Sequence, residues 1–186
     1  MDFDDTPAEA AFRAEARTWL EAHAVEKGHP DDFSNGHADE TMSDAEYASA
    51  CRRWQSTLFD AGWAGVAWPA AFGGRGGRPI EASIFSQEQG RFGVSSGIFA
   101  VAHGMVGPTL MRHGTTDQQQ RFLPAMLRGD HIWCQLFSEP EAGSDLAGLR
   151  TRAVHDARSD EWIITGQKVW TSQATESDMG ILLART

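Results

Sequence analysis

The segment Ser138–Asp145, with the sequence SEPEAGSD, follows a short apolar run, HIWCQLF, and has the composition of a ligand-binding loop. Its small residues would let the main chain approach a ligand closely. Free N–H groups beside two serine hydroxyls suit a phosphate or the edge of a heterocycle. An ordinary hydrogen-bonded surface loop has the same composition, so the spacing alone leaves both interpretations open.

A second segment, Gln167–Ser172, places an indole beside two hydroxyls, at Trp170, Thr171 and Ser172. A tryptophan next to hydroxyls can cover a flat aromatic cofactor while the hydroxyls bond to the rim of that cofactor. The competing interpretation is a tryptophan packed in the core, which is the more common situation when Trp170 is considered alone.

The first 130 residues show the periodicity of α-helices. Helix starts are marked by capping boxes, in which Ser or Thr is followed three residues later by Glu or Gln, and by proline at the first helical position. Residues 27–42 are polar and rich in turn formers, which predicts a loop. Pro108 is expected to break or kink the fourth helix, which spans roughly Ser96–His113. The predicted helices begin near Thr6, Ser43, Pro79, Ser96 and either Thr115 or Thr116.

From residue 131 the pattern changes to short runs rich in aromatic and apolar residues, as in strands. The predicted strands are HIWCQLF, LRTRAVH, EWIIT, QKVWT and GILLA, with hairpin turns at Asp156–Asp160 and Thr165–Gly166. The sequence thus predicts an α+β chain, with an all-α domain at 1–130 and an incomplete antiparallel β domain at 131–186. A sheet of so few strands leaves strand edges unpaired. We therefore expect a truncated chain, or a chain whose sheet is completed by a partner chain.

Charge and composition argue against several classes of protein. The formal net charge of −10 disfavours nucleic acid and anionic membrane surfaces as partners. No apolar run reaches the length of a membrane span, and the acidic N-terminus is unlike a signal peptide. Cys51 and Cys134 do not form a disulfide framework, so a cytoplasmic location is expected.

Other candidate sites are weaker. The run GGRGG at Gly73–Gly77 lacks the preceding strand of a dinucleotide-binding loop, so an irregular connection is predicted. The seven histidines and two cysteines show no metal-ligand spacing, and no metal site is predicted. Glu139 and Glu141 could be considered as catalytic bases, but loop carboxylates are far more often simply solvated.

Taken together, several segments resemble the acyl-CoA dehydrogenase family. They are AWPAAFGGRGG, HGMVGPTLMRHGTTDQQQRFLPAMLRGD, WCQLFSEPEAGSDLAGLRTRA, EWIITGQKVWTSQA and LLART, which together cover nearly the whole chain. The resemblance implies an N-terminal helical domain, a middle β-barrel-like domain and a C-terminal four-helix domain, with FAD between the last two. This chain would hold the first domain and roughly half of the second.

The reaction implied by the resemblance is α,β-dehydrogenation of an acyl-CoA thioester. A carboxylate removes the α-proton, the β-hydrogen leaves as hydride to the flavin, and an electron-transferring flavoprotein takes the electrons. The full-length family members are usually homo-oligomers. The family's catalytic glutamate belongs to the C-terminal domain and has no counterpart here, so no catalytic residue is assigned and the isolated chain is expected to be inactive.

The resemblance also implies which residues bind the cofactor and substrate. Ser138 would lie near the pyrimidine edge of the flavin, Ser172 near N5, and Ser144 near both the FAD pyrophosphate and the substrate. Glu141 stands where many members have glycine, which argues against a positive φ at this position. The implied FAD-binding residues are Gln135, Phe137, Ser138, Gly143, Ser144, Trp170, Thr171 and Ser172.

Two alternatives remain open at this point. The chain could be a non-catalytic subunit or fragment that completes a flavin site only with a partner chain. It could also belong to a related flavin oxidase or monooxygenase, since fold alone does not determine chemistry.

Overall fold

The first two helices begin at the capping boxes that the sequence predicts. The computed structural model describes residues 4–36 and 42–186. Helix α1 spans Pro7–His23 and helix α2 spans Asp44–Asp60; their N-caps, Thr6 and Ser43, accept the amide hydrogen of the third helical residue. In the predicted loop at 27–42, residues 27–36 and 42 lie outside helices α1 and α2, and residues 37–41 lie outside the described residues.

The later helices are shorter and more broken than the sequence suggests. Helix α3 spans Pro79–Gln89, helix α4 spans Gly107–His113 and helix α5 spans Thr116–Arg128. Residues 97–113 are helical throughout, as predicted, but the helix is irregular, with a 3₁₀ turn at Gly97–Phe99 and a π-helical turn at Ala102–Val106 before α4. The proline in the first turn of α4 has no amide hydrogen, so a regular helix cannot continue through it.

The helical unit is held together by an aromatic core and by a buried carboxylate. Trp63 stacks on Phe85 with ring centroids 4.9 Å apart, and Trp19 lies 5.7 Å from Trp54. Glu88 of α3 is buried and binds Arg13 and Arg17 of α1 at 3.0 and 2.9 Å. The ring contacts therefore join α1 to α2 and α3 to the segment after α2, and the ion pair joins α1 to α3.

The glycine-rich run at 73–77 is an irregular connection, as the sequence predicts. Its amides are used by the chain itself: those of Arg75, Gly76 and Gly77 donate to carbonyl oxygens of residues 65, 68 and 66 over 2.7–2.9 Å. Amides that are already paired within the chain are not available to cradle a phosphate.

The β unit contains four short strands in two pairs: β1 at Trp133–Leu136, β2 at Arg152–Asp156, β3 at Glu161–Thr165 and β4 at Met179–Leu182. Strands β2 and β3 form the predicted antiparallel hairpin, with Asp156 opposite Glu161. Strands β1 and β4 are parallel, which the expectation of an antiparallel region did not include. A long connection separates these two strands, so the chain can return in the same direction.

Two local predictions in the β unit are wrong. The segment Gln167–Thr171 forms no strand, and Thr165–Gly166 is the end of β3 and not a hairpin turn. Trp170 in this segment has a φ of 59°, outside the range that a regular strand requires.

The α+β architecture itself is confirmed, with helices first and a partial β region second. The chain separates into two compact units, of which the first ends at Asp130 and the second begins at His131. Within residues 4–36 and 42–186, no helix combines the length and the apolar character needed to cross a membrane.

Candidate functional site

The two segments singled out in the sequence meet directly after strand β1. The Val169 amide donates a hydrogen bond to the Ser138 carbonyl oxygen at 2.9 Å. The Lys168 ammonium donates to the Phe137 carbonyl oxygen, also at 2.9 Å. The main chain at 137–138 is therefore held against residues 168–169, and Trp170 follows immediately.

A buried ion pair between Glu139 and Lys168 lies at this junction. The Lys168 Nζ is 2.9 Å from the Glu139 Oε1, and the two side chains are only 8% and 6% exposed, respectively. The Glu139 carboxylate also accepts the amide hydrogens of Arg150 at 2.6 Å and Thr151 at 2.8 Å. Hydrogen bonds from Thr151 and from the Lys168 ammonium lower the pKa of Glu139 from 4.5 to about 2.

The interpretation of Glu139 as a solvated loop carboxylate is therefore wrong, whereas Glu141 fits it. The Glu141 side chain is 67% exposed and pairs with Arg150 at the surface over 2.7 Å. Sequence reasoning also overlooked Lys168. A lysine within a predicted strand was the available signal, because a buried ammonium requires an acidic partner.

Trp170 does not belong to the core. Its side chain is 90% exposed and its φ of 59° is uncommon for a residue that is not glycine, so the packed-core interpretation is wrong. Thr171 is half-buried, and Ser172 is exposed at the start of a turn. The Ser177 hydroxyl closes that turn by donating to the Gln173 carbonyl oxygen at 2.7 Å.

The loop that contains Gly143 and Ser144 begins with a tight turn. Glu139 and Ala142 exchange two main-chain hydrogen bonds, of 2.7 and 3.2 Å, and Gly143 and Ser144 follow as exposed residues. A Cβ atom at Gly143 would meet no atom within 4 Å, so open space lies beside it. Glu141 is not among the three non-glycine residues with positive φ in the described ranges, as its side chain predicts.

The structure brings some of the eight predicted residues together and leaves others apart. Gln135 is exposed on β1, where it pairs with Ile181 of β4. No main-chain hydrogen bond in the described ranges joins Gly143 or Ser144 to the other predicted residues. Within those ranges, four predicted hydroxyls make no hydrogen bond to the protein: those of Ser138, Ser144, Thr171 and Ser172.

A concavity of about 430 Å³ opens beside the ion pair, but none of the eight predicted residues lines it. Of the predicted residues, Phe137, Ser138 and Thr171 are partly buried and the other five are exposed. The concavity is lined by Glu139, Pro140, Glu141, Arg150, Thr151, Thr165, Gly166 and Gln167.

Comparison with known protein families decides which family this arrangement represents. Residues 6–130 match "Acyl-CoA dehydrogenase, N-terminal domain", and residues 134–186 match "Acyl-CoA dehydrogenase, middle domain". The chain belongs to the acyl-CoA dehydrogenase family. The resemblance seen in the sequence motifs is thereby confirmed at the level of the family.

Individual acyl-CoA dehydrogenases are similar to this chain over nearly its whole length. The acyl-CoA dehydrogenase IpdE1 of Mycolicibacterium smegmatis is 37% identical over 190 residues, which cover 94% of this chain and 46% of IpdE1. The structure titled "Tcur3481-Tcur3483 steroid ACAD" superimposes with a TM-score of 0.77 at 34% identity. That match covers 100% of this chain and 45% of the solved one.

A second solved structure gives the same result. The ChsE4-ChsE5 complex from Mycobacterium tuberculosis has a TM-score of 0.77 and is 31% identical, covering 100% of this chain and 44% of that one. The chain therefore spans less than half the length of these relatives.

Proposed function

We propose that this chain supplies one wall of an FAD site in an acyl-CoA dehydrogenase, and that a partner chain completes the site and supplies the catalytic base. The observation that carries the proposal is the exposed Trp170 indole, which directly follows the residue whose amide binds the Ser138 carbonyl oxygen. An aromatic side chain exposed next to unpaired hydroxyls fits a flat heterocycle with a polar edge.

The residues on this wall suit the chemistry of FAD. The Trp170 indole would cover the flavin ring and exclude water from it, while the hydroxyls of Ser138, Thr171 and Ser172 would orient its polar edge. The flavin, when bound, would supply the two-electron oxidation of the acyl thioester. A serine at 138 or 172, where many family members have threonine, retains the hydroxyl that such an edge requires.

The remaining predicted residues would bind the outer parts of the ligands. Gly143 and Ser144 are exposed with open space at Gly143, which leaves room for the pyrophosphate of FAD and, at Ser144, for the acyl-CoA. Gln135 and Phe137, on and directly after β1, would extend the same wall.

The carboxylates beside the wall do not suit the role of catalytic base. Glu139 is buried, accepts hydrogen bonds at both oxygens and has a pKa of about 2, so it holds a proton too weakly to remove one from an α-carbon. Glu141 is paired with Arg150 at the surface. We therefore place the base outside residues 1–186.

Two of the structural neighbours support completion by a partner. Each is named for two components, Tcur3481 with Tcur3483 and ChsE4 with ChsE5. We infer that this chain likewise assembles with a second acyl-CoA dehydrogenase-like polypeptide. An acyl-CoA thioester would be the substrate and an electron-transferring flavoprotein the electron acceptor.

The experiment is to purify the tagged chain twice, once produced alone and once from its source cells under conditions that preserve complexes. Bound FAD is measured by the visible flavin absorbance and by release on denaturation. Turnover is measured with a panel of acyl-CoA thioesters, by reduction of an artificial electron acceptor and, in parallel, by formation of hydrogen peroxide.

We expect the chain produced alone to lack FAD and turnover, and the complex to contain FAD and to reduce the acceptor. FAD and turnover in the chain alone would overturn the requirement for a partner. A complex without FAD would overturn the flavin site, and peroxide in place of acceptor reduction would identify an oxidase.

A further inference from the structure

We propose that the buried Glu139–Lys168 ion pair is the positioning element that fixes Ser138 and Trp170 beside each other on the flavin wall. This inference rests on the function proposed above. Neither residue of the pair is expected to touch the flavin. Both would act through the neighbours whose main chain they hold.

The position of the ion pair along the chain supports this role. The Lys168 ammonium binds the Phe137 carbonyl oxygen and the Glu139 carboxylate, both at 2.9 Å. Ser138 lies between these two acceptors in the sequence, and Trp170 lies two residues after Lys168. One ammonium group therefore holds the residues on both sides of Ser138 to the segment that leads into the tryptophan.

The other contacts of Glu139 anchor the pair to the hairpin formed by β2 and β3. Its carboxylate accepts the amide hydrogens of Arg150 and Thr151, directly before β2 begins. After β3, Gly166 passes so close to Thr151 that a Cβ atom there would lie 2.3 Å from the Thr151 Oγ1. Only glycine permits this approach, which brings the chain back towards Lys168.

The chain contains a matched control for this buried pair. Glu141 lies two residues from Glu139 and forms its own ion pair, with Arg150, but both side chains are mostly exposed, at 67% and 79%. An exposed pair contributes little because water screens it, whereas removal of one partner from a buried pair leaves an uncompensated charge. Glu141→Gln and Glu139→Gln thus compare the same substitution in two environments.

Lysine reactivity tests the pair without any flavin. Lys27 and Lys168 are the only lysines in the chain, and Lys27 is exposed. Brief treatment with an amine-acylating reagent, followed by peptide mass spectrometry, reports the accessibility of each lysine separately. We expect Lys168 to react at least about tenfold more slowly than Lys27, and Glu139→Gln to remove most of that protection.

The positioning role itself is tested in the assembled, FAD-containing protein. FAD affinity is measured by fluorescence titration and the flavin environment by its visible spectrum, for the wild type, Glu139→Gln, Lys168→Met, the double variant and Glu141→Gln. We expect each single variant of the pair to weaken FAD binding by about tenfold or more, and Glu141→Gln to stay within about twofold.

The double variant separates positioning from general stability. Removing both charges leaves no unpaired buried charge, so the unfolding midpoint of the double variant should be higher than that of the single variants. Its FAD affinity should stay about tenfold weakened, because the ion pair that positions the wall is absent. Recovery of FAD affinity together with stability would overturn the positioning role, as would single variants that bind FAD like the wild type. A Lys168 as reactive as Lys27 would also overturn it. Absence of FAD from the wild-type assembly would instead overturn the proposed function, on which the positioning role depends.

Discussion

The Val169 amide donates to the Ser138 carbonyl oxygen over 2.9 Å, and this bond joins the two segments that were chosen from the sequence for their chemistry. The residues are 31 positions apart, and neither lies in a strand. This main-chain hydrogen bond thus ties Ser138 to the residue that directly precedes the exposed Trp170. Removal of this hydrogen bond should weaken ligand binding more than it lowers the stability of the fold, since the core of the helical unit does not depend on it.

Val169→Pro should weaken FAD binding in the assembled protein by about fivefold, because proline has no amide hydrogen to donate and one hydrogen bond contributes roughly 1 kcal/mol. Val169→Ile keeps the amide and should bind FAD within about twofold of the wild type. Flavin fluorescence titration measures both. Equal affinities in the two variants would show that this bond does not align the wall.

At position 170, glycine should give a more stable chain than alanine, which is the reverse of the usual order. Its φ of 59° is costly for any residue with a Cβ, and its indole is 90% exposed, so little packing is lost on truncation. We expect Trp170→Gly to be more stable than Trp170→Ala by about 1 kcal/mol in urea unfolding of the flavin-free chain.

The control for Trp170 lies in the turn that follows. Ala174 is exposed and is not among the positive-φ residues of the described ranges, so Ala174→Gly should show the ordinary order and destabilise the chain by about 0.5 kcal/mol. If glycine were the worse residue at both positions, the left-handed conformation of Trp170 would be incorrect.

Helix α5 offers a test between two residues that the sequence did not distinguish. Thr115 and Thr116 each precede a glutamine by three residues, and the structure uses Thr115, whose hydroxyl accepts from the Gln118 amide at 3.2 Å. Thr115→Ala should lower the free energy of unfolding by about 1 kcal/mol, whereas the exposed Thr116→Ala should change it by less than about 0.5 kcal/mol. Chemical denaturation of the two variants decides between the caps, and a larger loss at Thr116 would reverse the assignment.

The features that the sequence predicts well are those that depend on neighbours in the chain. Thr6 and Ser43 cap their helices because each interacts with a glutamate three residues later, which is visible as a pattern. The hairpin of β2 and β3 is similarly local. The helix after Ser96 is also predicted, but propensity does not show the 3₁₀ and π-helical turns that precede Pro108.

The features that the sequence does not reveal depend on contacts between distant residues. Glu139 and Lys168 are 29 positions apart, and nothing in their spacing indicates that they form a buried pair. The parallel pairing of β1 and β4 also depends on distant residues, since it is set by the path of the connection between the two strands and not by either strand alone. Composition could nominate Trp170 as a cofactor ligand, but only the folded chain shows that it is exposed.

The stability of the helical unit should depend on pH through Glu88. This buried carboxylate contacts three guanidinium groups at 2.9–3.0 Å, and the hydrogen bonds from Arg17 and Arg13 lower its pKa from 4.5 to about 2 against the opposing effect of burial. Because the pKa is lower in the folded state, the contribution is fully present above about pH 4.5. It is lost as the pH falls towards 2, and on the order of 3 kcal/mol is involved.

Urea unfolding between pH 7 and pH 2, followed by circular dichroism at the helix band, measures this dependence. The wild type should lose stability steeply below pH 4.5, and Glu88→Gln should start less stable and lose less over the same interval, because amides do not titrate. Glu21→Gln, an exposed change on α1, should follow the wild-type curve. Parallel curves for the wild type and Glu88→Gln would mean that other carboxylates, and not the one that joins α1 to α3, determine the acid sensitivity of this unit.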